Sequence, residues 1–402
     1  MREDIKERIE LIKCGKVLEG YKKTKLGIIP EDWEVVRIQD ILEKIDTPVE
    51  VKADEEYTQI GIRSHGKGIF YKEPVTGKEL GNKRVFWVEP DCFVVNIVFA
   101  WERAVARTRK SDKGKIASHR FPMYKVKTNK ADLNFICTFF KTQRGNEIMQ
   151  FASPGGAGRN RTLGQERFLK SMMILPSVDE QRKIDDIIAC CDSRISLQER
   201  KIVEKEKLYY KYINKVVSGQ TEDFRKDNTW KRMTLADVFE YIQPSRYIVR
   251  NTEYHDEFKI PVLTAGKTFI LGYTNETDGI YTDVPVVIFD DFTTDMQYVD
   301  FEFKVKSSAM KILKIKKDYD MLFMFYTMRT LNYKVGAHER QWISKYSKLE
   351  IDVPPLCVQK QMARIFDAFR KELELERKLL IEYQKEKDAI IQLILSGFIR
   401  IK

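Results

Sequence analysis

Four His and six Cys are the residues best suited to metal or nucleophilic chemistry, and their spacing supports neither. His65, His119, His255 and His338 lie far apart, with no HExxH or HxxxH pattern, and no CxxC occurs, so no zinc-type ligand set forms locally. Cys190 and Cys191 are adjacent and the total is low, which suits a chain without disulfides in the cytoplasm. Ala265-Gly266-Lys267-Thr268 resembles the end of a phosphate loop, but Pro261 stands where that motif needs its first Gly. No GxGxxG and no Asn-Pro-Pro-aromatic run is present, so the chain itself offers no local support for a nucleotide or S-adenosylmethionine site. Glu302-Phe303-Lys304, downstream of Asp290, Asp291 and Asp295, holds the carboxylates and Lys of a nuclease centre. The same residues alternate with Phe301, Phe303 and Val305 as a half-buried strand does, and that reading fits better.

What remains is recognition of a polyanion. Lys plus Arg number 71 against 60 Asp plus Glu, a net charge of +11 that permits such a partner without requiring it. Arg103, Arg107, Arg109, Lys110, Lys113 and Lys115 crowd into thirteen residues. Residues 153–162 combine Gly with Arg159, Asn160 and Arg161. Gly lets a backbone approach closely, and Arg and Asn pair bidentately with guanine and adenine edges, although the same run also reads as a plain surface turn. Two polar Gly turns sit early in each half: Arg63, Ser64, His65 and Lys67 in one, Thr264, Lys267 and Thr268 in the other. His338, Arg340 and Gln341 stand where the second half aligns with 153–162. These sixteen positions, including Arg103, Arg107 and Arg109 but not the nearby Lys, are the candidate DNA contacts, whereas Trp101 and Trp342 read as packing residues.

The elements that must position them repeat. From Leu175 and from Val353 the sequence matches itself without a gap at an offset of 178: Pro176 with Pro354, Gln181 with Gln359, Leu197 with Leu375, Lys207 with Lys385, Ser218-Gly219 with Ser396-Gly397. In the first copy Ile184, Ile188, Cys191, Ile195, Ile202, Tyr209, Tyr212 and Val216 keep 4-3-4-3 spacing, broken by Gln198 and Lys205. In the second, Met362, Phe366, Phe369, Leu373, Leu380, Tyr383, Ile390 and Ile394 keep it, broken by Glu376 and Lys387. This predicts two coiled-coil helices, each opened by Pro and closed by Gly, that pair antiparallel as rods of roughly 55–60 Å. Ser177-Val-Asp-Glu180 reads as a capping box. Trp33 and Trp230 open the two halves at an offset of 197.

The expected fold is α/β (α+β): two mixed α/β recognition domains separated by a pair of long antiparallel helices, with a pseudo-two-fold internal repeat. The expected limits are 1–20 for an N-terminal helix, 21–176 and 220–354 for the domains, and 177–219 and 355–402 for the spacer helices. No run of residues is long and apolar enough for a membrane span.

Taken together, the chain resembles the specificity subunits of type I restriction–modification enzymes. Lys25-Leu-Gly-Ile-Ile-Pro-Glu-Asp-Trp-Glu-Val35 is similar to the family's opening of its first target-recognition domain, and Leu175-Pro-Ser-Val-Asp-Glu-Gln-Arg-Lys-Ile184 to the lead-in of its spacer helix. Pro354-Pro-Leu-Cys-Val-Gln359 repeats that lead-in, with Val358 in place of the usual Glu. The resemblance implies a non-catalytic chain whose two domains each read half of a split double-stranded DNA site. It implies two modification subunits that bring S-adenosylmethionine and methylate adenine, and restriction/translocase subunits that join them. It leaves open self-association of the isolated chain through its helices. The competing expectation is a DNA nuclease or methyltransferase with a catalytic centre of its own around Asp291.

Overall fold

The structure is a computed structural model that describes residues 3–127, 129–155, 161–264, 268–331, 333 and 340–401. It divides into two compact units, one of residues 1–196 with 381–402 and one of residues 197–380. Among the described residues no helix is long and apolar enough to cross a membrane.

Each unit is built around the same four-stranded antiparallel sheet. In the first unit the order is Val105–Arg107, Phe93–Val95, Met123–Val126, Leu42–Ile45. In the second it is Met296–Val299, Val286–Asp290, Met310–Ile315, Phe239–Ile242, with each strand at the corresponding place. A two-stranded ribbon precedes each sheet: Glu34–Arg37 with Met172–Leu175, and Lys231–Thr234 with Glu350–Val353. The strands are rich in Val, Ile and Phe, and their inward faces are fully buried.

A helix packs on each sheet, Leu133–Phe139 in the first unit and Met321–Thr330 in the second. Asp132 and Asp320 cap them: Asp132 accepts the N–H groups of Asn134 and Phe135, and Asp320 that of Phe323. Their cores are aromatic. Phe93, Tyr124, Phe140 and Phe168 interlock in the first unit, and Phe289, Trp342 and Tyr346 in the second.

The two long helices run Val178–Val217 and Leu356–Leu395, forty residues each, about 60 Å at 1.5 Å per residue. Each unit takes the start of one and the end of the other. Ile184 and Ile188 with Ile394 and Leu395 complete the first core; Ile213 and Val216 with Met362 and Phe366 complete the second. Within each unit the helical segments pack antiparallel. Arg194 meets Glu386 in the first, while Tyr209 stacks on Phe369 at 4.0 Å in the second. Gly219 and Gly397 end the helices with φ of 66° and 70°. Gln220 and Phe398 then donate their N–H groups back to Lys215 and Leu393, closing the last turns.

The repeated Gln has a structural role that its recurrence only hinted at. Gln181 accepts the N–H of Asp132 and donates to the carbonyls of Lys130 and Pro176, each at 2.8 Å. Gln359 accepts the N–H of Asp320 at 2.9 Å and donates to Pro354 at 2.8 Å. Both are fully buried, so one side chain ties the start of each long helix to the cap of the sheet-packing helix.

The capping box at Ser177 needs correction. Ser177 does accept the Glu180 N–H, but the Glu180 carboxylate turns away to Trp33 Nε1 at 2.7 Å and to Arg400. The Arg400 guanidinium offers this carboxylate a charge-assisted pair that a backbone N–H of the cap cannot, and the Trp33 indole adds a second buried donor. Val358 stands at the corresponding place before Gln359, and there Trp230 is only half-buried.

Candidate nucleic-acid interface

The first unit brings two of the sequence-predicted clusters together. Ile60–Ile62 and Ile69–Tyr71 form a hairpin whose turn carries Arg63, Ser64, His65 and Lys67. The turn is docked on residues 102–103: the N–H of His65 donates to Glu102, that of Gly66 to Arg103, and Ser64 Oγ to the Glu102 carboxylate at 2.6 Å. His65 and Arg103 both hold φ of 60°, a left-handed conformation fixed by these backbone bonds. Arg63, His65 and Lys67 project to solvent, with the Arg63 guanidinium over the Phe70 ring.

Two adjoining clefts border this turn and share Thr138 and Lys141. His65 and Arg103 line one; Lys67, Arg107, Arg109 and Lys110 line the other. The cations are not equivalent. Arg107 is bound to Asp91 at 2.6 Å and to Asn134, and its demand holds the Asp91 carboxyl below the usual range. Lys67, Arg109 and Lys110 are exposed and make no ion pair with another described residue. Such cations suit phosphate oxygens, whose binding releases counterions. Lys141 was missed in the sequence, although a cation directly after an apolar helix signals a charged helix end. Its stem lies 3.1–3.7 Å from where a Cβ at Gly66 would stand, and its carbonyl accepts from Arg103. Arg161 lies over the half-buried Trp101, whose Nε1 donates to Val98.

In the second unit the corresponding hairpin is Ile260–Leu263 with Ile270–Thr274. Thr264 donates its N–H to Phe269 across the turn and Thr268 is exposed, so Arg63 and Thr264 occupy matching places at hairpin ends. Lys306 donates its N–H to Leu263, and its ammonium reaches Tyr254. The exposed Arg340 is held by no ion pair with the described residues. Arg159, Asn160, Lys267 and His338 lie outside the described residues.

Gln341 is a correction. It is fully buried, accepts from the Tyr333 hydroxyl at 2.7 Å and donates its N–H to Asp291. The neighbouring Trp342 enters the aromatic core and draws Gln341 inward with it, so Gln341 does not face a ligand.

The acidic cluster that imitates a nuclease is not assembled. Asp291 is buried, accepts the N–H of Trp342 at 2.9 Å and pairs with Lys311 at 3.2 Å. Lys304 is buried elsewhere, donating to the Asp278 carbonyl at 2.6 Å and pairing with Glu276 at 2.9 Å. Burial acts to raise Glu276, but the N–H groups of Asn251 and Arg250 and the Lys304 ammonium overcome it and hold the carboxyl at about 2.

Comparison with known proteins agrees with this duplicated frame. The family described as type I restriction modification DNA specificity domain matches twice, over residues 30–207 and 227–384. The EcoR124I/EcoR124II specificity subunit of Escherichia coli is 44% identical over 171 residues, 39% of this chain and 40% of that protein. That match spans about two fifths of the relative's length. A putative MjaX specificity subunit of Methanocaldococcus jannaschii is 22% identical over 96% of this chain and 97% of its own. Among solved structures, one titled for complex assembly of the type I R-M system aligns with a TM-score of 0.61 at 12% identity, over 92% of this chain and 99% of that one. An S subunit from M. genitalium gives 0.51 at 14% identity, over 92% and 96%. Both share the fold. With two family matches covering most of its length, each centred on one sheet and its long helix, the chain belongs to the type I restriction–modification DNA specificity family.

Proposed function

We propose that this chain is the DNA-recognition subunit of a type I restriction–modification complex and has no catalytic centre of its own. Each unit reads one half of a split double-stranded site, and the partners supply the chemistry. The observation that carries this reading is the hairpin turn repeated on one frame with different side chains. Arg63, Ser64, His65 and Lys67 stand in one unit and Thr264 and Thr268 in the other. A shared scaffold with different polar ends suits two half-sites of different sequence. Two modification subunits bring S-adenosylmethionine and methylate adenine, and restriction/translocase subunits join them. The helices expose apolar residues at matching repeat positions, Leu197 with Leu375 and Val203 with Ile381, which suits docking of two copies of one partner. The complex works in the cytoplasm.

Mapping methylated adenines in a host with and without this gene, the modification partner being present, tests the reading. A two-part motif that vanishes with the gene is the expected result. An unchanged methylation pattern overturns it.

A further inference from the structure

Gln198 and Glu376 are the same position of the two repeats, 178 residues apart, and they touch. The Gln198 amide donates to the Glu376 carboxylate at 2.7 Å and to its carbonyl at 3.0 Å. A residue that meets its own repeat equivalent marks the local two-fold of the antiparallel helices. At such a place one identical pair of residues would suffice if the repeats were interchangeable, yet this pair is unlike. Lys201 at 2.8 Å and Lys205 at 2.7 Å complete the shell around Glu376.

The other ion pairs between the helices follow the same logic. In the second unit Lys205 also binds Glu372, and Glu206 binds Arg377 at 2.5 Å. In the first unit Arg194 binds Glu386 at 2.8 Å, and Asp192 binds Lys387. Shifting one helix by 178 shows what a pairing of like with like would bring together. With two copies of the first helix, Glu372 becomes Arg194 and Arg377 becomes Glu199, so Lys205 faces Arg194 and Glu206 faces Glu199. Glu376, Glu386 and Lys387 become Gln198, Leu208 and Tyr209, and the other pairs vanish. With two copies of the second helix, Glu376 faces itself, Glu386 faces Glu372, and Lys387 faces Arg370. Glu376 would meet its copy once, on the two-fold, and each of the other like-charge contacts would occur on both sides of it.

We propose that these polar positions form a partner-selecting code that admits only the complementary repeat. The surface fits the other half of this chain, or of a second copy, and rejects its own equivalent. Heptad apolar positions supply attraction that either pairing could use; the charges supply the difference between them.

The test starts from the whole chain with a protease site inserted between the exposed Glu222 and Asp223. The purified protein is cut, unfolded in urea and refolded, and native mass spectrometry counts the three dimers of the two fragments. The ratio of the mixed species to each like dimer should exceed the statistical value of roughly 2:1 by about tenfold or more. Giving the second helix the first helix's residues (Glu372→Arg, Glu376→Gln, Arg377→Glu, Glu386→Leu, Lys387→Tyr) should lower that ratio severalfold, the contacts of Ile394, Leu395 and Arg400 in the mixed dimer being left as they are. A statistical ratio in the unaltered protein, or an unchanged preference in the grafted one, overturns the proposal. A second measurement needs no refolding of fragments. In the uncut chain Arg377→Glu should lower the thermal midpoint, and adding Glu206→Arg should recover most of the loss. If the double variant melts no higher than the single one, the charges do not select the partner.

Discussion

Asp291 separates a structural carboxylate from a catalytic one, and its surroundings set the size of the effect. Its side chain and that of Lys311 are 2% and 4% exposed, and the Lys311 ammonium also touches the Tyr241 hydroxyl at 3.2 Å. Asp291→Ala leaves that ammonium in the interior without its counter-charge, which costs about 3–5 kcal/mol. It also strips the acceptor from the Trp342 N–H, about 1–3 kcal/mol more. The second unit should therefore lose at least about 3 kcal/mol. The double change Asp291→Asn with Lys311→Met keeps an oxygen for Trp342 and removes both charges. Uncharged replacement of a buried pair is often neutral or better, so the double variant should lie within about 1 kcal/mol of the unaltered chain. Hydrogen exchange of strands Val286–Asp290 and Met310–Ile315 reports stability within the unit, and adenine methylation by the reconstituted complex reports function. Recovery of both in the double variant is the expected result. If it is stable and binds DNA yet methylation is lost, Asp291 acts in chemistry and the assignment fails. If Asp291→Ala is as stable as the parent, the buried-pair argument fails.

Gln359→Leu leaves the Asp320 N–H and the Pro354 carbonyl without partners and should destabilise the second unit by about 2–6 kcal/mol, read as faster exchange in helix Met321–Thr330; unchanged protection there refutes the tie. Gln181→Leu should act in the same way on Leu133–Phe139, and each change should spare the other unit. Arg109→Ala with Lys110→Ala should flatten the salt dependence of DNA affinity by about 0.9 for each phosphate no longer neutralised, measured by anisotropy over a salt series, and Arg107→Ala, already bound to Asp91, should change the slope less. Glu276 has a depressed folded pKa of about 2, so its stabilisation is present above its ordinary value near 4.5 and fades as pH falls towards 2. Acid unfolding of the second unit should lose part of its pH dependence in that window in Glu276→Gln, and an identical acid profile would count against the strut formed with Lys304.

The long helices, their ends and the duplication were legible because heptads and an ungapped offset are local patterns. The polar breaks in those heptads were legible as positions but not as partners. Gln198, Lys205, Glu376 and Lys387 acquire meaning only once antiparallel pairing fixes who faces whom. Gln341 misled because polar neighbours around a Trp read as surface, while the deciding force was that Trp's burial together with a hydrogen bond from Tyr333. Arg63 and Arg103 lie far apart in sequence, and the hydrogen bonds from residues 64–66 to 102–103 join them. Arg109 and Arg107 looked alike in the sequence, and Asp91, sixteen residues away from Arg107, distinguishes them.

Residues 381–402 belong to the first unit, and Arg400 there holds Asp32 and Glu180 beside the ring of Trp33. A ribosome delivers every residue of the second unit before it delivers Arg400. The earlier-made unit thus waits unfinished, with Ile184 and Ile188 lacking Ile394 and Leu395, while the later-made one has its full sequence. Translation at about 5–20 residues per second makes that interval at least several seconds, which inverts the usual order in which amino-terminal domains finish first. Nascent chains stalled ahead of residue 381 should therefore expose the first unit to chaperones and proteases.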